Sequence, residues 1–281
     1  MNTKRNFSLI LATAMAVSIF LLVGCSGTGN QKDNKEAADS ANMELSLSPQ
    51  AVSLLYKLPT PLEVTMLLEQ AKAGYIFDIT NSVDNVGKYM TEKSKAINLG
   101  IYSADLAYSA TYNHIDNTNQ FLGCTSKLAD ELGIAGVYHP NIIDKVKEFN
   151  NNKDSLVNLV SSIFLTTNDF LSKNNRNQVA VYIATGAFVE GLYLISSLNI
   201  VAEKNEEITS ILYKQQYTYD QLISVLDLLQ SDAAMKSLYD ELLTLKPVFT
   251  DFGLEPGKKL EPQQANGIND VIAGVRDALI Q

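Results

Sequence analysis

Two carboxylates stand where an apolar helical pattern would otherwise run unbroken. Asp105 is the only charge between Lys95 and His114, and Glu190 is the only charge between Val179 and Ile195. A carboxylate inside such a helix needs a partner, or its pKa rises. Glu190 therefore reads as a helix-edge residue that reaches water or pairs with a Tyr, Lys or Arg. The alternative is a polar anchor at the floor of a ligand pocket. Asp105 has company, because Tyr102, Tyr108 and Tyr112 lie at −3, +3 and +7 from it. At about 100° per residue all three fall within roughly 60° of its direction, as one Tyr/Asp stripe on one helix face. One reading is a set of core tyrosines whose hydroxyls bond the carboxylate. The other is the wall of a cleft that binds a polar ligand through those hydroxyls. Two carboxyls at a set separation are also what a glycosidase uses, so Asp105 and Glu190 define the enzymatic alternative.

Other chemistries find little support. His114 and His139 are the only histidines, and no H-x-x-x-H or Cys/His spacing accompanies them, so neither zinc nor another metal is expected. Both suit N-cap or loop positions. No nucleophile elbow, phosphate loop or dinucleotide fingerprint occurs, and no cofactor is expected.

The elements that would hold these residues read as helices nearly throughout, which makes the fold class all-α. Thr60-Pro61-Leu62-Glu63 and Thr218-Tyr219-Asp220-Gln221 have the form of capping boxes. Asp116, Asp154 and Asp232 each precede an apolar-periodic run, and Pro140 and Pro262 suit first turns. Gly133 and Gly136, Asn150 to Asn152, Asn174-Asn175, and Gly253 to Gly257 supply stops. The pattern predicts about ten helices, near 60–79, 82–113, 116–132, 139–150, 154–174, 177–203, 206–216, 218–230, 232–251 and 262–280. Gly74 to Thr80 has the look of a short strand but would lack a partner.

Three helical stretches align on a glycine. They are Ile97-Asn98-Leu99-Gly100, Ile183-Ala184-Thr185-Gly186 and Val271-Ile272-Ala273-Gly274, with the glycines 86 and 88 residues apart. A mid-helix glycine costs up to about 1 kcal/mol against alanine, and its usual benefit is a close helix crossing. The spacing suggests two and a half units of roughly four helices, arranged as stacked helix pairs or a bundle. The alternative is chance similarity among amphipathic helices. Asp105, Glu190 and Asp277 lie at different offsets from the three glycines, so they form no ladder.

The N-terminus carries a different signal. Lys4 and Arg5 precede an apolar run from Leu9 to Val23, broken only by Thr13 and Ser18, which ends in Leu22-Val23-Gly24-Cys25. The run is shorter than the roughly 20 apolar residues of a comfortable membrane span, and has the form of an export signal. Leu22-Val23-Gly24-Cys25 resembles the lipobox of bacterial lipoproteins. That resemblance implies diacylglycerol on the Cys25 sulfur, cleavage before Cys25 and acylation of the new amino group. The expected organisation is a signal peptide over 1–24, a disordered tether over 25–42, and a single helical domain over 43–281.

Ser26 to Asn42 is polar and too poor in apolar residues to offset its ordering entropy. Within it, Gln31-Lys32-Asp33 resembles the charged tract that sends some Bacteroidota lipoproteins to the cell surface, set further from the cysteine than usual. It reads equally as plain linker. Removing residues 1–24 takes away only Lys4 and Arg5, which leaves 20 Lys+Arg against 31 Asp+Glu, a net charge of −11. That balance argues against nucleic acid as a partner and against a polybasic grip on anionic lipid. With Cys25 lipidated, Cys124 lacks an intramolecular partner and reads as a small buried hydrophobe.

The whole chain resembles, in kind, the uncharacterised all-helical lipoproteins of Bacteroidota. The resemblance implies a location in the cell envelope, held to the bilayer through Cys25 and facing either the periplasm or the exterior from the outer membrane. The functional expectation is a binding or scaffold module for an envelope protein or small molecule, with a carboxylate-dependent envelope enzyme, such as a glycan-acting hydrolase, as the alternative.

Overall fold

Local chain chemistry sets most helix ends. Ser48 caps the first helix by accepting from the Ala51 amide, with Pro49 at its first position. Thr60 does the same for the Glu63 amide ahead of Pro61, and Asp232 accepts from the Ala234 and Met235 amides, both at 2.9 Å. The computed structural model describes residues 47–137, 142–149, 152–202 and 205–281. Cys25, its surroundings, the tether and His139-Pro140 lie outside the described residues.

Eleven α-helices and no strand occur among the described residues. In chain order they are α1 (Pro49–Leu55), α2 (Pro61–Gln70), α3 (Glu92–Thr111), α4 (Ile115–Glu131), α5 (Ile142–Glu148) and α6 (Lys153–Lys173). These are followed by α7 (Asn177–Val201), α8 (Glu206–Asp227), α9 (Ala233–Leu243), α10 (Lys246–Thr250) and α11 (Pro262–Leu279). The chain is thus all-α, as the capping pattern predicts.

Several boundaries differ from expectation for identifiable reasons. The α2 helix stops at Gln70 because Lys72 turns left-handed (φ 58°) and the Ala73 amide bonds back to the Leu68 carbonyl. The helix expected from 82 begins at 92, behind a reciprocal Thr91/Ser94 box. Ser82 caps only a 3₁₀ turn at Val83–Gly87. The two helices expected at 206–216 and 218–230 are one, and Thr218 is buried in its middle. Nothing there interrupts the apolar stripe Ile211, Leu212, Tyr219, Leu222. The helix expected at 232–251 breaks before Pro247 into α9 and α10. Asp116 and Asp154 lie inside first turns, behind His114 and Asn152 as the capping positions. The α1 helix was not anticipated, and Gly74 to Thr80 forms an irregular segment with one 3₁₀ turn.

The centre of the domain is the α3–α7 pair, which packs more extensively than any other two elements. The α2, α4 and α6 helices also pack on α3, and α8 and α11 on α7. The α7 helix is long and apolar enough to cross a membrane, yet 89% of its most apolar window is buried against the surrounding helices.

Gly100 and Gly186 make the α3–α7 contact. A Cβ on Gly100 would run into the Ile183 carbonyl and sit 2.8 Å from the Ala187 nitrogen. A Cβ on Gly186 would run into the Ile97 carbonyl. Each glycine thus receives the carbonyl three residues before the other, so the two Ile-x-x-Gly stretches meet face to face. The third stretch does not share this role, because Gly274 has no neighbour within 4 Å of a would-be Cβ.

Candidate functional site

The α3–α7 crossing brings the two anomalous acids together one turn beyond the glycines. Asp105 and Glu190 are both 0% exposed, and their carboxyls lie within hydrogen-bonding reach of each other. The third member comes from α11. Arg276 Nε donates to Glu190 Oε2 at 2.6 Å, and Arg276 Nη2 donates to Oε1 at 2.8 Å, a two-pronged buried ion pair. The guanidinium also lies 4.3 Å from the centre of the Tyr193 ring. The Asn98 side chain secures the end of α11 by donating to the Leu279 carbonyl at 3.0 Å. Glu190 therefore has an Arg partner, one of the options open from the sequence.

Burial and the neighbouring Glu190 carboxylate push the Asp105 carboxyl well above the usual carboxylate range, with Arg276 acting in the opposite direction. Burial lowers the Arg276 pKa, but attraction to Glu190, the hydrogen bonds to Glu190 and the nearby Asp105 together outweigh it and hold the value above that of an ordinary arginine.

The tyrosine stripe does something other than bond Asp105. Its hydroxyls reach the backbone of the irregular segment between α2 and α3. Tyr112 donates to the Ala73 carbonyl (2.8 Å) and Tyr108 accepts from the Ile76 amide (2.8 Å). Asp105 Oδ2 accepts from the Asn81 amide (3.1 Å) and Tyr102 donates to the Ser82 carbonyl (2.7 Å). Descending α3 from 112 to 102 thus reads the segment from 73 to 82 in order. Apart from its single 3₁₀ turn at Phe77–Ile79, the strap finds its partners largely on one helix face.

Aromatic packing holds the same strap. The Tyr75 ring stacks on Tyr108 (4.5 Å) and His114 (3.9 Å), and Phe77 meets Tyr75 edge-on at 5.0 Å. At the other end the Asn81 side chain donates to Tyr89. Burial raises the pKa of Tyr102, Tyr108 and Tyr112 well above the ordinary value, so they serve as neutral hydrogen-bonding groups. Tyr112→Phe leaves the Ala73 carbonyl without its donor. It should cost about 1–3 kcal/mol in a chemical denaturation curve and speed amide exchange at 73–76.

Among the described residues, none of the five best-formed cavities is lined by Asp105, Glu190 or Arg276. Two small apolar clefts, about 40 and 20 Å³, share Thr60, Pro61, Phe164 and Ile183 as walls. The largest of these five, about 710 Å³, is a trough between Gln70–Ile76 and the start of α8. Among the described residues no three His, Cys, Asp or Glu side chains gather as a metal cage. Cys124 is buried, and burial pushes its thiol up to about 11, so it carries little thiolate at neutral pH.

The sequence reading found Asp105, Glu190 and the tyrosines but missed Arg276, Asn81 and Tyr89. Arg276 had a signal: it lies on the apolar stripe of α11 with Ile268, Ile272, Val275 and Leu279, where an arginine is as anomalous as Glu190 in α7. Asn81 and Tyr89 had none, since their roles come from the path of the strap. No protein-family model, no curated protein and no solved structure matches the chain.

Proposed function

We propose that the chain is a lipoprotein of the cell envelope, anchored to the bilayer through acylated Cys25, whose helical body is a binding or scaffold module. The observation that carries the anchor is Leu22-Val23-Gly24-Cys25, placed directly after a short apolar run. Two or three acyl chains hold far more firmly than one, since each buried methylene contributes about 0.8 kcal/mol.

The module reading is supported by how the ionisable groups are spent. The convergent carboxylates face each other and an arginine in the core, whereas a hydrolase needs them on either side of a scissile bond. The partner is an envelope protein or a small molecule, and the net negative charge of the body disfavours nucleic acid. Cys25→Ala should abolish incorporation of labelled fatty acid and leave unprocessed precursor. Normal labelling and membrane partition of that variant would overturn the assignment.

A further inference from the structure

Hydrogen-bond accounting at the buried triad leaves one atom over. Both Glu190 oxygens accept from Arg276. Asp105 Oδ2 accepts from the Asn81 amide, while Asp105 Oδ1, shielded from water, meets no donor. Its carboxyl nevertheless lies within hydrogen-bonding reach of Glu190. Two ionised carboxylates at that range repel, and one guanidinium cannot neutralise both. A single proton on Oδ1 turns the repulsion into a donor–acceptor bond, satisfies the orphan oxygen and leaves the triad neutral.

We propose that Asp105 holds a proton at neutral pH and donates it from Oδ1 to Glu190, and that this proton latches the 73–82 strap onto α3. The groups facing the pair leave it no other means of charge balance. From α7 comes Glu190 itself and from α11 Arg276; from α4 comes Cys124, whose thiol is pushed up to about 11. Tyr75 of the strap and Tyr102 and Tyr108 of α3 also face Asp105, and Tyr89 faces Glu190 and Arg276. All four tyrosines have raised pKa values and remain neutral. Among the described residues Arg276 is the cation that acts on Asp105, and it is already held by Glu190.

The pH dependence follows in sign. The unfolded chain loses the Asp105 proton in the ordinary carboxylate range, and the folded chain keeps it to higher pH. Between those two values the folded state binds more protons, so the stabilisation is complete at acid pH and is lost as pH rises toward the folded value. Loss of the proton leaves an uncompensated charge beneath Asn81. Lifting the strap, whose Asn81 amide bonds Asp105 Oδ2 directly, opens the carboxyl to water.

Infrared spectroscopy of the full chain, with hydrogen exchange of residues 74–88 against pH, tests this. Wild type should show a deuterium-sensitive carboxylic-acid band at neutral pH, and strap protection, corrected for intrinsic exchange, should fall toward alkaline pH. Asp105→Asn can still donate to Glu190 and accept from the Asn81 amide. It should lack the band and keep its strap protection as pH rises. Absence of the band in wild type at neutral pH overturns the proposal. So does strap protection with the same pH profile in both proteins. Should Asp105→Asn fail to fold, the wild-type band and the wild-type exchange profile decide alone.

Discussion

Arg276→Met is expected to be the most damaging single substitution outside the glycine crossing. Methionine keeps the apolar stem and removes the guanidinium, so Glu190, with no exposure, is left without its charge partner and beside Asp105. Breaking a buried pair from one side costs about 3–5 kcal/mol. A whole domain is stable by roughly 5–15 kcal/mol, so the variant should melt far below wild type or populate a loosely packed state at physiological temperature. Arg276→Lys should rescue only part of the loss, because an ammonium cannot reproduce the two-pronged geometry. Circular dichroism melts of the two variants provide the comparison. A wild-type melt for Arg276→Met would mean that Glu190 reaches solvent.

The second large effect belongs to Gly100 and Gly186. A Cβ at either would meet a backbone carbonyl, not a side-chain end, and no rotamer change relieves that overlap. The helices must part, at the centre of the domain. Gly100→Leu or Gly186→Leu should therefore cost at least the roughly 1–3 kcal/mol typical of overpacking. Their double variant should cost less than the sum, since both act on one crossing. Gly274→Ala should do the reverse. No neighbour lies within 4 Å, so better helix propensity should stabilise by up to about 1 kcal/mol. Denaturation midpoints of the four variants test this. Equal effects at Gly186 and Gly274 would rule out the crossing.

The contrast between these glycines shows how far the sequence could be read. Alignment of three Ile/Val-x-x-Gly stretches picked out all three alike, yet only two take part in a crossing, because that depends on which helix faces which. Cues acting over three or four residues were legible: Thr60 and Asp232 cap, and Gly133 turns left-handed at φ 71°. Thr91 escaped because its box closes with Ser94 in place of an acid or amide. Thr218 misled because its box lies within an uninterrupted apolar stripe, where burial outweighs a local cap.

Of the site, both acids were legible as charges in apolar helices. Their partners were not. Arg276 lies 86 residues beyond Glu190, and the strap contacted by the tyrosines has no periodicity to announce it. The stripe itself was correctly seen as one face, but its hydroxyls go to backbone carbonyls and an amide of 73–82 instead of to the Asp105 carboxyl. An irregular segment has more unmet backbone groups than a helix, and these take the tyrosine hydroxyls that the Asp105 carboxyl would otherwise share.

Asp105, Glu190 and Arg276 form a sealed joint between α3, α7 and α11. A double-mutant cycle on Glu190→Leu and Arg276→Met measures it most directly, read as unfolding free energy. Each single variant should be strongly destabilised, since each strands a buried charge. The double variant replaces the ion pair with apolar groups and should recover most of the loss, giving a coupling of about 3 kcal/mol or more. Two single variants that melt like wild type and add without coupling would show the groups to be solvated and independent, and would contradict the sealed joint.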